Sequence, residues 1–129
     1  MIVADCSAVV DALTGLTGTA ELRSRLSGEP ICAPSLIDHE FVSALRGLTR
    51  NGSLSIARAH DAMTDFDALP LARWDSVDAF RRRAFDLRDN LSAHDAAYVV
   101  LAQSLQCPLI TRDQRLYRAA VELVDVCVL

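Results

Sequence analysis

Acids that close short apolar runs are the residues of this chain best placed to do chemistry. The first run, Ile2 to Ala4, stops at Asp5; Ser7 and a second apolar run follow. That pattern reads as a buried strand ending at an acid, then the start of a helix. α/β folds put their chemistry at the carboxyl ends of strands. A later run, Leu109-Ile110, leads through Thr111 and Arg112 to Asp113. Glu40 and Asp95 fall in the first turns of predicted helices. In a strand–helix–strand unit each helix begins at the edge where its strand ended, so Asp5, Glu40, Asp95 and Asp113 can meet in one cleft. Carboxylates gathered in this way repel one another, their pKa values rise, and a cation must offset them. Oxygen donors suit hard ions, which makes Mg²⁺ or Mn²⁺ the expected cofactor. The chemistry that follows is hydrolysis at phosphorus, with water activated by the ion and the leaving oxygen stabilised by it.

Each acid also has a local explanation. Asp95 stands three residues after Ser92, as in a variant capping box. Glu40 can serve as a first-turn partner of the helix dipole. Asp113, in Thr-Arg-Asp, can be a turn or cap residue. Asp5 fits least well as a surface residue, because it follows a strand directly. The hydroxyls of Ser7 and Thr111 lie near the same edge and can hold water or phosphate, or cap helices.

The elements that position these residues are legible from hydrophobic spacing. A helix runs from about Ser7 through Leu13, and Thr14, Gly15, Thr17 and Gly18 break it. A second passes through Leu22 and Leu26 to Gly28, and Pro30 to Ala33 is a short strand closed by Pro34. Ser35 is a good N-cap for a helix with apolar residues from Leu36 to Leu48 at steps of three and four; Asn51-Gly52 ends it. Glu40 shares a stripe of that helix with Ala44 and Leu48, so it points along a partly buried face, where an unpaired acid is costly. Ser55 caps the next helix. Leu69-Pro70-Leu71 is a brief strand or a loop, and Val77 to Leu87 marks another helix. Ser92 caps a helix from Ala93 to about Leu105 that is apolar nearly all round and therefore buried. Pro108 to Ile110 is a strand, Gln114 to Val121 a short helix, and Val124 to Leu129 a last strand. The alternation predicts one α/β domain over 1–129, with right-handed crossovers around a mainly parallel sheet of four to five strands.

Composition narrows the function. Of 129 residues, 51% are hydrophobic, enough for a real core, and aromatics are sparse, so that core is aliphatic. No apolar run approaches the roughly 18 residues that a membrane span needs, and no basic region precedes the first apolar stretch as in a secretory signal. Cys6, Cys32, Cys107 and Cys127 form no C-x-x-C pair, which favours buried thiols and a reducing cytoplasm. The net charge is −4, an unusual sign for a nucleic-acid binder. Acids concentrated at a metal site resolve this, since a bound ion reverses the local sign. All 13 basic residues are arginine. Arg46 and Arg50, on the helix of Glu40, and Arg112 and Arg115, beside Asp113, are the candidate phosphate contacts. Arg81-Arg82-Arg83 reads as an exposed helix face. His39 and His94 each precede a candidate acid and point about 100° away from it around the helix, so they are flanking groups rather than ligands. His60 is mid-helix and exposed.

Four segments carry a family resemblance: Ile-Val-Ala-Asp-Cys-Ser-Ala-Val-Val from residue 2, Pro-Ser-Leu-Ile-Asp-His-Glu-Phe-Val-Ser-Ala-Leu-Arg from 34, Leu-Ser-Ala-His-Asp-Ala-Ala-Tyr-Val-Val-Leu-Ala from 91, and Leu-Ile-Thr-Arg-Asp-Gln-Arg-Leu from 109. In this order and spacing they resemble the PIN-domain ribonucleases, specifically the VapC-type toxins of toxin–antitoxin pairs. The resemblance implies a three-layer PIN-like fold and a Mg²⁺-dependent endoribonuclease. It makes Asp5, Glu40, Asp95 and Asp113 the metal-site acids, with Asp5 and Asp95 the direct ligands most often assigned. It also implies an RNA substrate, a homodimer and an antitoxin partner that blocks the site. His94 departs from the tyrosine that many relatives carry, which bears on substrate fit.

Other classes fare worse. Receiver domains and haloacid-dehalogenase-like phosphatases also place acids at strand ends, but both depend on a lysine, and this chain has none. Asp5-Cys6-Ser7 is not an Asp-x-Asp motif, and no Gly-Lys-Ser/Thr is present for a P-loop. The remaining alternatives are a catalytically silent PIN fold that binds RNA or protein, and a PIN nuclease of RNA processing.

Overall fold

A computed structural model describes every residue of the chain except Thr17. Chain order among the described residues is β1 (Ile2–Ala4), α1 (Cys6–Thr14), α2 (Ala20–Ser27), β2 (Ile31–Pro34), α3 (Ile37–Arg50), α4 (Ile56–Ala68), β3 (Leu71–Trp74), α5 (Asp78–Asp86), α6 (Ala93–Leu105), β4 (Leu109–Thr111), α7 (Gln114–Ala120) and β5 (Val126–Val128). The strands form one five-stranded sheet in the order β3-β2-β1-β4-β5, and every pairing is parallel. This is the α/β architecture expected from the alternation, at its five-strand limit.

The order of strands matters for function. From β1 the chain steps outward through β2 to β3, then returns across the sheet to place β4 on the other side of β1. The strand order thus reverses between β1 and β4, and such a switch point opens a crevice at the carboxyl edge. Both strands are wholly buried. Right-handed crossovers put the helices on the two faces of the sheet. On one side α1 packs against α2, α3 and α4; on the other, α5 packs on α6, which lies against β1, β2 and β4. The buried core is aliphatic, apart from the stacked pair Phe41–Phe66, with ring centroids 4.1 Å apart, and Tyr98.

Several expected boundaries move, each for a physical reason. The first helix starts at Cys6, because Asp5 itself is the cap: its extended backbone lets the carboxylate accept from the Ala8 amide. Ser35 is not the cap of α3. A turn at Ser35-Leu36 feeds that helix, and the Asp38 and His39 amides donate to the Ser35 and Leu36 carbonyls. Pro34 belongs to β2, paired with Trp74 of β3. The ambiguous strand lies at Leu71–Trp74, after Pro70 rather than around it; it is an edge strand exposed beyond Leu71, so no alternation marks it. Ser55 and Ser92 do cap α4 and α6, accepting from the Arg58 and Asp95 amides. Gly15 ends α1 in the left-handed region at φ 64°, as the break predicts. The Thr17 part of that break lies outside the described residues. No helix among the described residues is long and apolar enough to cross a membrane.

Candidate active site

The site is built outward from Asp5. Burial of β1 carries it to the sheet edge, where it is only 5% exposed. Its Oδ1 accepts from Ser7 Oγ at 2.7 Å and the Ala8 amide at 2.9 Å, and its Oδ2 accepts from Thr111 Oγ1 at 2.5 Å. The two hydroxyls stand 3.4 Å apart, and each also accepts from the backbone after β4: Ser7 from the Arg112 amide, Thr111 from the Asp113 amide. Both sides of the switch point are therefore tied to one carboxylate. The three donors to it are neutral, so burial dominates and pushes the Asp5 carboxyl above its ordinary value, while the three hydrogen bonds pull it down and Asp113 pushes it further up.

Glu40 lies on the half-buried stripe of α3 that it shares with Ala44 and Leu48, as its spacing predicts. Its Oε1 accepts from Tyr98 Oη at 2.5 Å, and its Oε2 is 3.9 Å from His94 Nδ1. Burial raises its pKa; the Tyr98 hydrogen bond and His94 oppose the rise, and Asp95 adds to it. Asp95 sits in the first turn of α6. That helix must run against the strands to deliver the chain to the buried amino end of parallel β4, so its first turn faces the same edge as Asp5. Asp113 is the N-cap of α7, with Oδ1 accepting from the Arg115 and Leu116 amides. Its Oδ2 and the Oδ2 of Asp95 each lie 3.7 Å from Arg115 Nη2. Asp5 senses Asp113, Glu40 senses Asp95, and the Cys6 thiol between them senses Asp5 and Glu40. The four acids thus face one cleft.

The cleft continues into a groove of about 960 Å³ between α1 and α3, with Ser7, Asp11, His39 and Glu40 among its lining residues. His94 stands on its rim with 72% of its side chain exposed. Among the described residues no three His, Cys, Asp or Glu side chains are near enough to clasp an ion as they lie. The donor chemistry nonetheless fits a hard cation: four carboxylates face the cleft, two of them with raised pKa values. Cys6 does not compete for that role. Burial, then Glu40 and Asp5, push its thiol up to about 12, so it stays protonated at neutral pH.

The remaining expected site residues are placed as follows. Thr111 is fully buried and its hydroxyl is spent on Asp5, so it positions that acid and does not reach a substrate. Ser7, half-buried, does the same from α1. Arg46 is exposed on α3. The Arg112 guanidinium pairs with Asp11 at 3.0 Å and donates to the Leu129 carbonyl, tying α1 to the strand β5 end of the chain. His39 and His60 are exposed. Tyr98 is the residue that sequence reasoning missed. A tyrosine in a helix apolar all round must find a partner for its hydroxyl, and it lies three residues after Asp95, on the same face.

A parallel α/β sheet with acids gathered at the carboxyl edge of β1 and β4 defines the class of protein. Within that class, residues 2–122 match the PIN domain family model. The chain is 39% identical over 116 residues to Ribonuclease VapC9 of Mycobacterium tuberculosis, covering 90% of this chain and 88% of that protein. It is 36% identical over 129 residues to Ribonuclease VapC12 of the same species, covering 96% and 99%. A solved chain of a toxin–antitoxin complex from Klebsiella pneumoniae has the same fold, with a TM-score of 0.66, 19% identity and coverage of 91% and 90%. The chain belongs to the PIN-domain family, among its VapC ribonucleases.

Proposed function

We propose that this chain is a Mg²⁺-dependent endoribonuclease and the toxin of a type II toxin–antitoxin pair, acting in the cytoplasm on an RNA phosphodiester. The observation that carries the site assignment is Asp5. A carboxylate buried at the switch point, surrounded by neutral donors and facing a second acid, is unfavourable unless a cation joins it. Asp5, Glu40, Asp95 and Asp113 would hold Mg²⁺, or Mn²⁺ in its place. The chemistry such an ion supplies is charge neutralisation and polarisation of a phosphoryl oxygen. The chain's own residues do the rest. Ser7 and Thr111 fix both oxygens of Asp5. Tyr98 fixes one oxygen of Glu40, leaving the other toward the cleft and His94. Arg46, on the same helix as Glu40, meets the phosphate backbone where it enters the groove, and Arg112 stiffens the loop that carries Asp113.

Purified protein incubated with labelled RNA tests this. Cleavage is expected with Mg²⁺ and is abolished by EDTA. Asp5→Asn and Asp95→Asn are each expected to lower it by roughly a hundredfold or more. Unchanged cleavage in both variants would remove the carboxylate site, and RNA binding without cleavage would make the chain a silent PIN-fold module. The relatives' name and the Klebsiella complex support an antitoxin partner for this chain as well. An acidic segment of such a partner can pair with the arginines around the cleft. We also propose a homodimer, which a light-scattering mass of one chain would refute.

A further inference from the structure

Arg115 stands between two of the candidate site acids. It is the second residue of α7, and its backbone amide donates to Asp113 Oδ1 at 2.8 Å, which anchors the base of the side chain at the cleft. Its Nη2 then lies 3.7 Å from Asp113 Oδ2 and 3.7 Å from Asp95 Oδ2. One nitrogen is thus equidistant from two acids contributed by different helices, α6 and α7. The side chain is 79% exposed, and the two carboxylates are its charged partners.

We propose that Arg115 is a built-in competitor for the cation of this site: its guanidinium bridges Asp95 and Asp113 when no ion is bound, and is released toward the RNA phosphate when an ion takes its place. The inference rests on the metal-site reading given above and adds a residue to it. Electrostatics gives the reason. Two carboxylates drawn to one cleft repel, and a cation between them lowers that cost. A guanidinium does this without the hydration penalty that a divalent ion meets, but a divalent ion carries twice the charge and binds carboxylates more closely. Once displaced, Arg115 stays tethered at the cleft by its α7 backbone, with the planar donor fork that suits a phosphate. Arg115 therefore has two opposed effects: it weakens the ion's binding and strengthens the RNA's.

The test is a Mn²⁺ titration of the full chain, read by the loss of the free-ion electron paramagnetic resonance signal, without RNA. Wild type is compared with Arg115→Ala, Arg115→Lys and Arg118→Ala, the last removing the same charge one turn along α7. Each exposed ion pair is weak, so Arg115→Ala is expected to bind Mn²⁺ about threefold to tenfold more tightly than wild type. Arg115→Lys and Arg118→Ala should stay within about twofold of wild type. At saturating Mn²⁺, Arg115→Ala should raise KM for RNA about threefold to tenfold and change kcat less. Equal tightening by Arg118→Ala would reduce the effect to net charge and overturn the proposal, as would unchanged Mn²⁺ affinity in Arg115→Ala. Wild type that binds no Mn²⁺ would instead sink the metal-site reading itself, and this inference with it.

Discussion

At the scale of single residues, Asp5 and Glu40 are acids held in unfavourable surroundings by hydrogen bonds. Asp5 makes the cost visible. Its pKa is raised, so the stability that its neutral form contributes is present below the ordinary carboxylate range and is lost as pH rises through the raised value. At neutral pH without an ion, Asp5→Asn should therefore raise the thermal midpoint by about 2–4 °C, since the amide keeps the cap to the Ala8 amide and loses the buried charge. The gain shrinks as pH falls toward the ordinary range, and added Mn²⁺ stabilises wild type but not the variant; scanning calorimetry in EDTA and in Mn²⁺ checks both. Tyr98 sets Glu40 in the same way. Its hydrogen bond opposes the rise that burial imposes, so Tyr98→Phe pushes the Glu40 carboxyl further up. The acid limb of the pH–rate profile should move to higher pH, with cleavage at neutral pH falling about threefold to tenfold. A profile that does not move would leave Tyr98 a packing residue.

At the scale of elements, capping connects stability to function unevenly, and matched substitutions separate the two. Ser92 holds the amide of Asp95 itself, whereas Ser55 holds that of Arg58 on α4, away from the four acids. Both Ser92→Ala and Ser55→Ala should cost about 1 kcal/mol in denaturant unfolding. Only Ser92→Ala should also slow cleavage, because it loosens the turn that carries a site acid. The same elements show how much was legible beforehand. The Glu40–Ala44–Leu48 stripe and the serine caps of α4 and α6 are local patterns, written in consecutive residues. Ser35 has the sequence pattern of a cap yet lies in a turn, because a turn can feed a helix as well as a side-chain cap can. The strand β3 lacks alternation because it is an edge strand exposed past Leu71. Thr111 as the donor to Asp5 was hidden for another reason: it depends on a contact 106 residues long. Tyr98 signals a need for a hydrogen bond, but nothing in the sequence says that Glu40 meets it.

At the scale of the molecule, the order β3-β2-β1-β4-β5 places the proposed site where two halves of the chain meet. The first half supplies Asp5, Ser7 and Glu40, and the second supplies Asp95, Thr111 and Asp113. Their joint is closed by hydrogen bonds rather than by apolar contact alone: Thr111 to Asp5, the Arg112 amide to Ser7, and the Arg112 guanidinium to Asp11. Thr111→Val removes the first of these at nearly constant volume. It leaves a buried carboxylate oxygen without a donor, which costs about 1–3 kcal/mol in chemical unfolding and raises the Asp5 carboxyl further. Mn²⁺ affinity should fall with it, most steeply on the acid side of neutrality.

The same joint sets a time order on the making of the protein. Chains emerge amino end first, and β1 acquires its neighbour β4 only after more than a hundred residues have been made, so this pairing is among the most non-local in the molecule. A growing chain that has reached α6 carries Asp5, Ser7, Glu40 and Asp95 but neither Thr111, which holds the second oxygen of Asp5, nor Asp113. The four acids therefore come together late, when the strand β4 docks against β1. On the ribonuclease function proposed above, that delay keeps the growing polypeptide inactive until β4 has been made.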